Sequence, residues 1–281
     1  MKRAGILFTV LICFLVLDSS SAQAEQSSRK AFDKEKDLLL VNLDCKTDVD
    51  DIHTAAAFAT LLHQPAFANL KYHVVAGTYG VQEGLYVPPN ELLELAFKNS
   101  KWSDAHADQE RALRQVMQEV KKVLKNQADI WIAEAGQSDF TAKLVKNIQR
   151  ELPAIEVATR IHVVQHSNWN EEVTSAAALS FVKNTVDYHK IPDGNAEGNG
   201  TPGFRTPEYQ DWKDEVSNPR LLEVWRLAVK IGLEYNGKDG RYNNEAVGSG
   251  GLDFSDLSEV CWILGLEDIE DTQEFFERFG S

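Results

Sequence analysis

The sequence of 281 residues predicts an α/β fold, in which a mostly parallel sheet carries helices on both faces. Residues 38–45 read LLLVNLDC, a continuous apolar run that suits a strand buried on both faces. Three further apolar runs are each followed by a stretch with helical periodicity, so strand and helix alternate four times. This alternation is typical of βαβ units, because parallel strands need a crossover connection.

The predicted elements follow one another without an internal repeat. Strands are predicted at 38–45, 72–77, 129–135 and 160–165, and helices at 52–63, 90–99, 108–125, 139–151, 171–184 and 221–235. The segment 190–220 is rich in Pro, Gly and Asn, which predicts a long loop near the site or, as the alternative, a disordered surface loop. The glycine-rich residues 245–256 lead into a final helical region. We expect one α/β domain over residues 37–281, preceded by a polar N-terminal arm at 25–36.

The composition excludes some classes of partner. The chain is 43% hydrophobic, which is enough for one sizeable core. It has 43 Asp and Glu residues against 29 Lys and Arg, and its formal net charge is −14. This balance argues against a nucleic-acid partner and against docking on anionic lipid, since both need clustered cations. Clustered acids, in contrast, are able to hold a hard cation.

The first 24 residues are predicted to be a secretory signal peptide. Lys2 and Arg3 form a positive start, residues 4–17 are an uninterrupted apolar run, and Ala22-Gln23-Ala24 matches a small-residue cleavage site. The run is shorter than the roughly 20 residues that span a bilayer. We therefore expect an exported protein, periplasmic or secreted, with no membrane attachment after cleavage.

Two cysteines remain in the predicted mature chain, Cys45 and Cys261. Both lie in apolar runs, which favours two buried free thiols, and a single disulfide bridge is the alternative.

Polar side chains stand after each predicted strand. Asp44, Asp48, Asp50 and Asp51 fall within eight residues after the first strand. Ligands of open α/β sheets bind at the carboxyl ends of the strands, and closely spaced carboxylates repel one another unless a cation or proton intervenes. Oxygen ligands favour Ca²⁺ or Mg²⁺ over zinc. The alternative role for Asp48 or Asp50 is to cap the following helix.

At residues 41–59, VNLDCKTDVDDIHTAAAFA resembles the first motif of the inosine–uridine-preferring nucleoside hydrolases, in a branch that reads Asp-x-Lys-x-acid-x-Asp-Asp. The resemblance implies that Asp44 binds the metal and acts as the base. It implies that Asp51 is the second metal carboxylate and that Asp50 holds substrate. An alternative register instead places Lys46 at the metal position, and the site would then be unable to bind a cation.

Three later segments are similar to further motifs of this family. IWIAEAGQSDFTAKL implies a metal contact from the Ala135 carbonyl. GGLDFSDLSEVCWIL implies that Asp256 completes the metal shell, with Asp253 as the other option. HSNWNEEVTSAAA resembles the segment that holds the sugar, and it implies three substrate-binding residues: Asn168, Asn170 and Glu171.

The sequence departs from the family pattern at two positions: Asn42 stands where the family has another Asp, and Ser255 replaces a His that precedes the late Asp. Lys46 matches the branch pattern and bears on the choice of register. His166 is a candidate substitute as the acid for the leaving group. The aromatic candidates for covering the base are Tyr79, Trp169 and Trp212.

The resemblance implies an exported Ca²⁺-dependent hydrolase that cleaves the N-glycosidic bond of a nucleoside or related riboside. Mg²⁺ is the less favoured cation, and assembly into a homo-oligomer is left open. Because of Asn42, Lys46 and the missing His, a non-catalytic relative that binds a sugar or nucleoside is the alternative. A hydrolase of another glycosidic linkage, with two carboxylates and no metal, is a third hypothesis.

Overall fold

A computed structural model describes residues 30–97, 100–195, 201 and 203–281. Residues 33–281 form one compact unit. The predicted signal peptide lies outside the described residues. No helix within the described ranges has the length and apolar character needed to cross a membrane.

The central sheet has six strands, and every neighbouring pair is parallel. In spatial order they are β3-β2-β1-β4-β5-β6. Their bounds are β1 Leu38–Leu43, β2 Lys71–Ala76, β3 Trp102–Asp104, β4 Ile130–Ala135, β5 Ile161–Gln165 and β6 Asp187–Lys190. A separate antiparallel pair joins β7 Arg205–Thr206 to β8 Leu252–Asp253.

The α-helices connect and cover these strands. Their bounds are α1 Asp50–His63, α2 Asn90–Ala96, α3 Gln109–Lys125, α4 Asp139–Glu151, α5 Val157–Arg160, α6 Asn168–Glu172, α7 Ala176–Thr185, α8 Trp212–Glu215, α9 Pro219–Tyr235, α10 Glu245–Gly248, α11 Leu257–Leu264 and α12 Thr272–Phe279. Short 3₁₀ helices lie at Pro65–Phe67 and Lys238–Gly240.

The two faces of the sheet bury different helices. Alternate residues of the strands, such as Leu40, Ile132 and Val163, pack in one apolar core with residues of α3, α4 and α7. On the opposite face α11 packs on β4 and β5, where the Trp131 and Trp262 rings lie 6.5 Å apart. The predicted α/β class with a parallel sheet between helices is thus confirmed.

The strand order changes direction between β1 and β4. Chain connections leave these two neighbours toward opposite edges of the sheet, which opens a crevice at their carboxyl ends. Leu43 is level with Ala76 on one side and with Ala135 on the other. Asp44 and Gly136 follow directly, so the end of β1 lies at the centre of this crevice.

Several predicted boundaries are wrong for identifiable reasons. The single helix predicted over 171–184 is two helices, α6 and α7, because Ser175 is extended at φ −60° and ψ 131°. The short strands β3 and β6 were not predicted, since three or four mostly polar residues carry no clear period. The predicted loop 190–220 contains β7 and α8 among its described residues. Cys45 and Cys261 are buried free thiols, as predicted.

Candidate active site

An open cleft with a volume of about 430 Å³ lies at the carboxyl edge of the sheet. Loops after β1, β4 and β5 and the start of α11 supply its walls. Of the eight residues that the sequence predicted to bind metal or substrate, the structure brings six to the lining of this cleft: Asp44, Asp50, Asp51, Ala135, Asn170 and Asp256.

The start of α1 directs two of these carboxylates into the cleft. The residue before the helix is Val49, and no side chain caps the helix. The Asp48 carboxylate accepts from the Val49 N–H at 2.6 Å, and the Asp50 carboxylate accepts from the Asp51 N–H at 2.9 Å. The alternative in which Asp48 or Asp50 caps this helix is therefore wrong.

Asp50, Asp51 and Asp256 each place a carboxylate oxygen within 4.8 Å of the others. Asp44 is in hydrogen-bond contact with Asp51, and we call these four residues the acid cluster. Asp51 Oδ2 accepts from the Cys45 N–H at 2.5 Å, whereas its Oδ1 is buried and has no hydrogen-bond partner. A buried carboxylate oxygen without a donor carries a large desolvation cost.

Burial and mutual repulsion act together on the acid cluster. Burial, together with the nearby Asp256 charge, raises the pKa of Asp44 from 3.8 to about 7. Burial and the charge of Asp256 also raise the pKa values of Asp50 and Asp51 well above their ordinary value. Such a cluster holds protons at neutral pH unless a cation replaces them.

The donor set of the acid cluster fits a hard divalent cation. The unpartnered Oδ1 of Asp51 is the kind of oxygen that a metal ion satisfies, and the three side chains that converge there are all carboxylates. Carboxylates with backbone carbonyls suit Ca²⁺, which accepts 6–8 oxygen ligands in flexible geometry, better than Mg²⁺, which demands a near-ideal octahedron. Ala135 lies at the cleft wall, where the sequence predicted a carbonyl ligand.

Asp44 is oriented by its neighbours. Its Oδ2 accepts from Gln137 Nε2 at 2.5 Å and its Oδ1 accepts from the Lys46 N–H at 2.7 Å. The chain between β4 and Gln137 passes close to β1, and a Cβ at Gly136 would lie 2.6 Å from Thr78 Oγ1. Only glycine fits here without displacing the loops that hold Asp44. The resemblance implies no role for Gln137, and its hydrogen bond to Asp44 is what identifies it as a residue of the site.

His166 positions Asp256. Its Nε2 lies 3.0 Å from Asp256 Oδ1 and 3.7 Å from Glu259 Oε1, and the ring is buried. Burial opposes a charge on the imidazole, but the carboxylates of Glu259, Asp193 and Asp256 together raise the pKa of His166 well above its ordinary value. Its Nδ1 accepts from the Gly194 N–H at 2.9 Å, so Nε2 carries the proton that faces Asp256 and orients its carboxylate.

Asp253, the other option for the late metal ligand, lies beside the acid cluster with partners of its own. Its Oδ2 accepts from Asn244 Nδ2 at 2.7 Å and lies 3.4 Å from Arg205 Nε. Its Oδ1 accepts from the Ser255 hydroxyl at 2.8 Å. Ser255, which stands where the family has a His, therefore supports Asp253, and Asp256 is the residue of the pair that joins the acid cluster.

The side chains of Asn42 and Lys46 have their contacts outside the acid cluster. Asn42 points to the core face of the sheet, where its Nδ2 donates to Glu134 Oε1 at 2.9 Å and to Thr141 Oγ1 at 3.1 Å. Lys46 contributes to the cleft wall, but its ammonium nitrogen lies over the Tyr79 ring, 4.3 Å from the centroid. The alternative register with Lys46 at the metal is not the arrangement observed.

Two predicted substrate residues are not brought to the cleft. Asn168 is exposed at the start of α6. Glu171 turns toward β6, where it accepts from the Tyr188 hydroxyl at 2.6 Å and pairs with Lys183 at 2.8 Å. Both lie outside the lining residues.

Sequence reasoning missed part of the cleft wall. Arg205 and Tyr242 come from the loop-rich region after β6, where no strand-end pattern marks them. Of the three aromatic residues predicted to cover the base, Trp169 lines the cleft, and its side chain is 57% exposed. Trp212 is buried in the core instead.

Comparisons with protein-family models, with curated proteins and with solved structures find no match for this chain. The resemblance to nucleoside hydrolases thus stays a sequence-based prediction, and the function of the cleft is argued from its own residues.

Proposed function

We propose that the chain is an exported, divalent-cation-dependent hydrolase that cleaves the N-glycosidic bond of a nucleoside or related riboside. One observation carries the proposal: Asp50, Asp51 and Asp256 converge within 4.8 Å in a cleft, around a buried Asp51 oxygen that lacks a hydrogen-bond partner. Asp51 and Asp256, with Asp44 in contact with Asp51 and Asp50 converging on the same point, are the side chains that would hold Ca²⁺ together with the carbonyl of Ala135. A bound divalent cation supplies a water molecule that is more acidic than bulk water.

Asp44 is the base in this proposal. A carboxylate that faces a cation-bound water molecule is a suitable general base, and Asp44 lines the cleft beside Asp51 and Asp256. The Gln137 amide and the Lys46 N–H fix both carboxylate oxygens, so the group is oriented before substrate arrives. The proton taken from water passes to the Asp44 carboxylate.

The negative surroundings favour the same reaction. Cleavage of a glycosidic bond develops positive charge on the sugar, which nearby carboxylates stabilise. Asp50 and Asn170 line the cleft and offer an acceptor and an amide to sugar hydroxyls. A volume of about 430 Å³ lies within the range of small-molecule sites. The choice of a riboside rests on the sequence resemblance.

Release of free base from a panel of nucleosides tests the proposal. Purified protein with Ca²⁺ is expected to release base, and Asp44→Asn is expected to abolish release. Glu171→Gln is the matched control, because this acid lies outside the cleft and the variant removes the same charge. Wild-type protein that releases no base, or Asp44→Asn with full activity, would contradict the proposal. Release that survives a chelator would favour the metal-independent glycosidase.

A second candidate, a protein that binds a riboside without turnover, is favoured by one observation. His166, the candidate acid for the leaving group, is held between Asp256 and Glu259. Calorimetric binding of nucleosides in the presence of Ca²⁺, without release of base, would identify this candidate.

A further inference from the structure

A second group of metal-ligating side chains lies on the face of the sheet that packs against α11. Asp187 Oδ2 is 2.7 Å from His162 Nδ1 and 2.9 Å from His189 Nε2. One ligand atom from each residue lies within 4.8 Å of the other two. We call His162, Asp187 and His189 the histidine cluster.

Strand register builds this cluster. His162 of β5 is level with Asp187 of β6, and Val164 is level with His189. Since alternate residues of a strand point to the same face, all three ligands share one face of two neighbouring strands. At a rise of about 3.3 Å per residue, the step of four positions from His162 to His166 separates this cluster from the cleft by about 13 Å.

Both ring nitrogens of His162 face carboxylate oxygens, so a proton or a metal ion is needed between His162 and Asp187. Its Nε2 faces Asp129 Oδ2 at 3.2 Å, and an ionised carboxylate only accepts, so this nitrogen is the donor. Its Nδ1 faces a second carboxylate, Asp187, at 2.7 Å. A neutral ring has no second proton to offer, so either a proton or a metal ion must lie between Nδ1 and Asp187.

The surroundings are those of a metal-binding histidine. Metal-ligating imidazoles usually donate their other nitrogen to a carboxylate, which fixes the tautomer. Asp129 fills that role, and Arg160 holds it through a 2.5 Å contact. The Trp131 ring stacks on His162 with centroids 4.0 Å apart. Asp187 and His189 are partly exposed, which leaves an entry path for an ion.

We propose that His162, Asp187 and His189 bind Zn²⁺, with solvent at the fourth position. Two imidazole nitrogens and one carboxylate oxygen form a donor set that suits zinc and not Ca²⁺. Tetrahedral zinc with bonds of about 2.0–2.1 Å separates its ligands by about 3.3 Å. The side chains must open by roughly half an ångström from their hydrogen-bonded spacing. β6 is an edge strand and has a neighbouring strand on one side only.

Zinc binding to chelator-stripped protein tests the proposal. The titration is carried out in excess Ca²⁺, which occupies the acid cluster and competes poorly for imidazole. Bound metal is counted by mass spectrometry after gel filtration, and Co²⁺ replaces Zn²⁺ for a visible absorption spectrum. The variants are His189→Ala and Asp187→Asn, and His63→Ala removes an exposed histidine from elsewhere as the matched control.

Wild-type protein and His63→Ala are expected to bind one zinc ion per chain. Loss of a direct ligand in His189→Ala or Asp187→Asn is expected to weaken binding by at least about 100-fold, the upper end of the loss caused by removing an outer-shell partner. Asp51→Asn is expected to keep its zinc, because the acid cluster is separate. Two results would overturn the proposal: no zinc in the wild type, or zinc binding by both cluster variants that is as tight as in the wild type. Either result would leave a proton between His162 and Asp187.

Discussion

The acid cluster and the histidine cluster use the same sheet in opposite ways. In the acid cluster, carboxylates face carboxylates, and one oxygen of Asp51 is buried without a donor. In the histidine cluster, donors and acceptors alternate from Arg160 through Asp129 and His162 to Asp187. One group is left with excess negative charge and the other is nearly compensated.

The difference lies in where along the strands each group stands. The histidine cluster lies on a strand face, where the register of neighbouring strands imposes alternating partners. The acid cluster lies beyond the strand ends, where loops from separate elements converge and no ladder dictates the pairing. Excess charge is therefore tolerated at the edge where ligands bind, and a cation is the means of relieving it.

The largest expected effect separates the two clusters. Asp51→Asn removes a charge at the centre of the acid cluster, so we expect Ca²⁺ affinity to fall by more than about 100-fold, beyond the cost of losing an outer-shell partner. Calorimetric titration with Ca²⁺ measures the change. The zinc affinity of the same variant is the control, and we expect it to be unchanged. Equal loss of both metals would mean that the two clusters are one structural unit.

The pH dependence of Ca²⁺ affinity sharpens the contrast. Metal binding to the acid cluster must displace protons, because burial and neighbouring acids raise the pKa of Asp44 to about 7 and those of Asp50 and Asp51 well above normal. Affinity is therefore expected to increase between pH 5 and pH 8, by about tenfold per pH unit for each proton displaced. Titrations in buffers of different ionisation enthalpy count the protons. A flat profile would show that the acids are already ionised.

Gly136 tests how tightly the end of β4 fits against the loop after β2. A Cβ at this position would lie 2.6 Å from Thr78 Oγ1 and 2.9 Å from the Thr78 carbonyl oxygen. We expect Gly136→Ala to lower the free energy of unfolding by about 1–3 kcal/mol, the usual cost of overpacking. Urea denaturation measures this change. Gly248→Ala is the control for the loss of a glycine, because the atom nearest to its added Cβ is the side-chain amide nitrogen of Asn236 at 3.2 Å and not backbone.

The stability of the metal-free protein should decrease with rising pH. Folding raises the pKa of Asp44 from 3.8 to about 7, so between these values the folded state binds protons that the unfolded chain releases. The contribution of this group is complete below about pH 4 and is lost as the pH rises to about 7. Urea midpoints of wild type and Asp44→Asn should therefore converge at low pH and diverge at high pH. Parallel pH profiles for the two proteins would contradict this linkage.

The smallest effect is expected at Glu171. Its carboxylate binds Tyr188 and Lys183 on the far side of α6, so Glu171→Gln should change the KM for any cleft substrate by less than about twofold. Steady-state kinetics measure the change, with Asn170→Ala as the comparison inside the cleft. A large increase in KM for Glu171→Gln would restore the substrate role that the sequence predicted.

The central strands could be predicted because most of their residues are apolar. Residues 38–43 and 130–135 are all buried, and their hydrophobic runs indicate this burial. The edge strand β6 has the sequence Asp-Tyr-His-Lys, which shows no strand pattern. It forms a strand through its pairing with β5, which a local sequence pattern does not show. The break between α6 and α7 depends on one extended residue, Ser175, inside an otherwise helical stretch.

The candidate site could be predicted only as far as strand ends indicate position. Asp44, Asp51 and Asp256 could be found because each lies next to an apolar element that the sequence marks. Side-chain direction within a polar segment could not be predicted: Asn170 faces the cleft, while the adjacent Glu171 faces β6. The role of Asn42 was also hidden, since its partner Glu134 is 92 residues away in the chain.

The two edges of the sheet bear on how copies of this protein can associate. One edge is β3, with three residues, and the other is β6, whose sequence is polar along its whole length. Short and charged edge strands discourage backbone pairing with another molecule, which is the usual route to sheet extension and aggregation. Any homo-oligomer is therefore expected to form through helix surfaces, and the parallel sheet is expected to end within each chain.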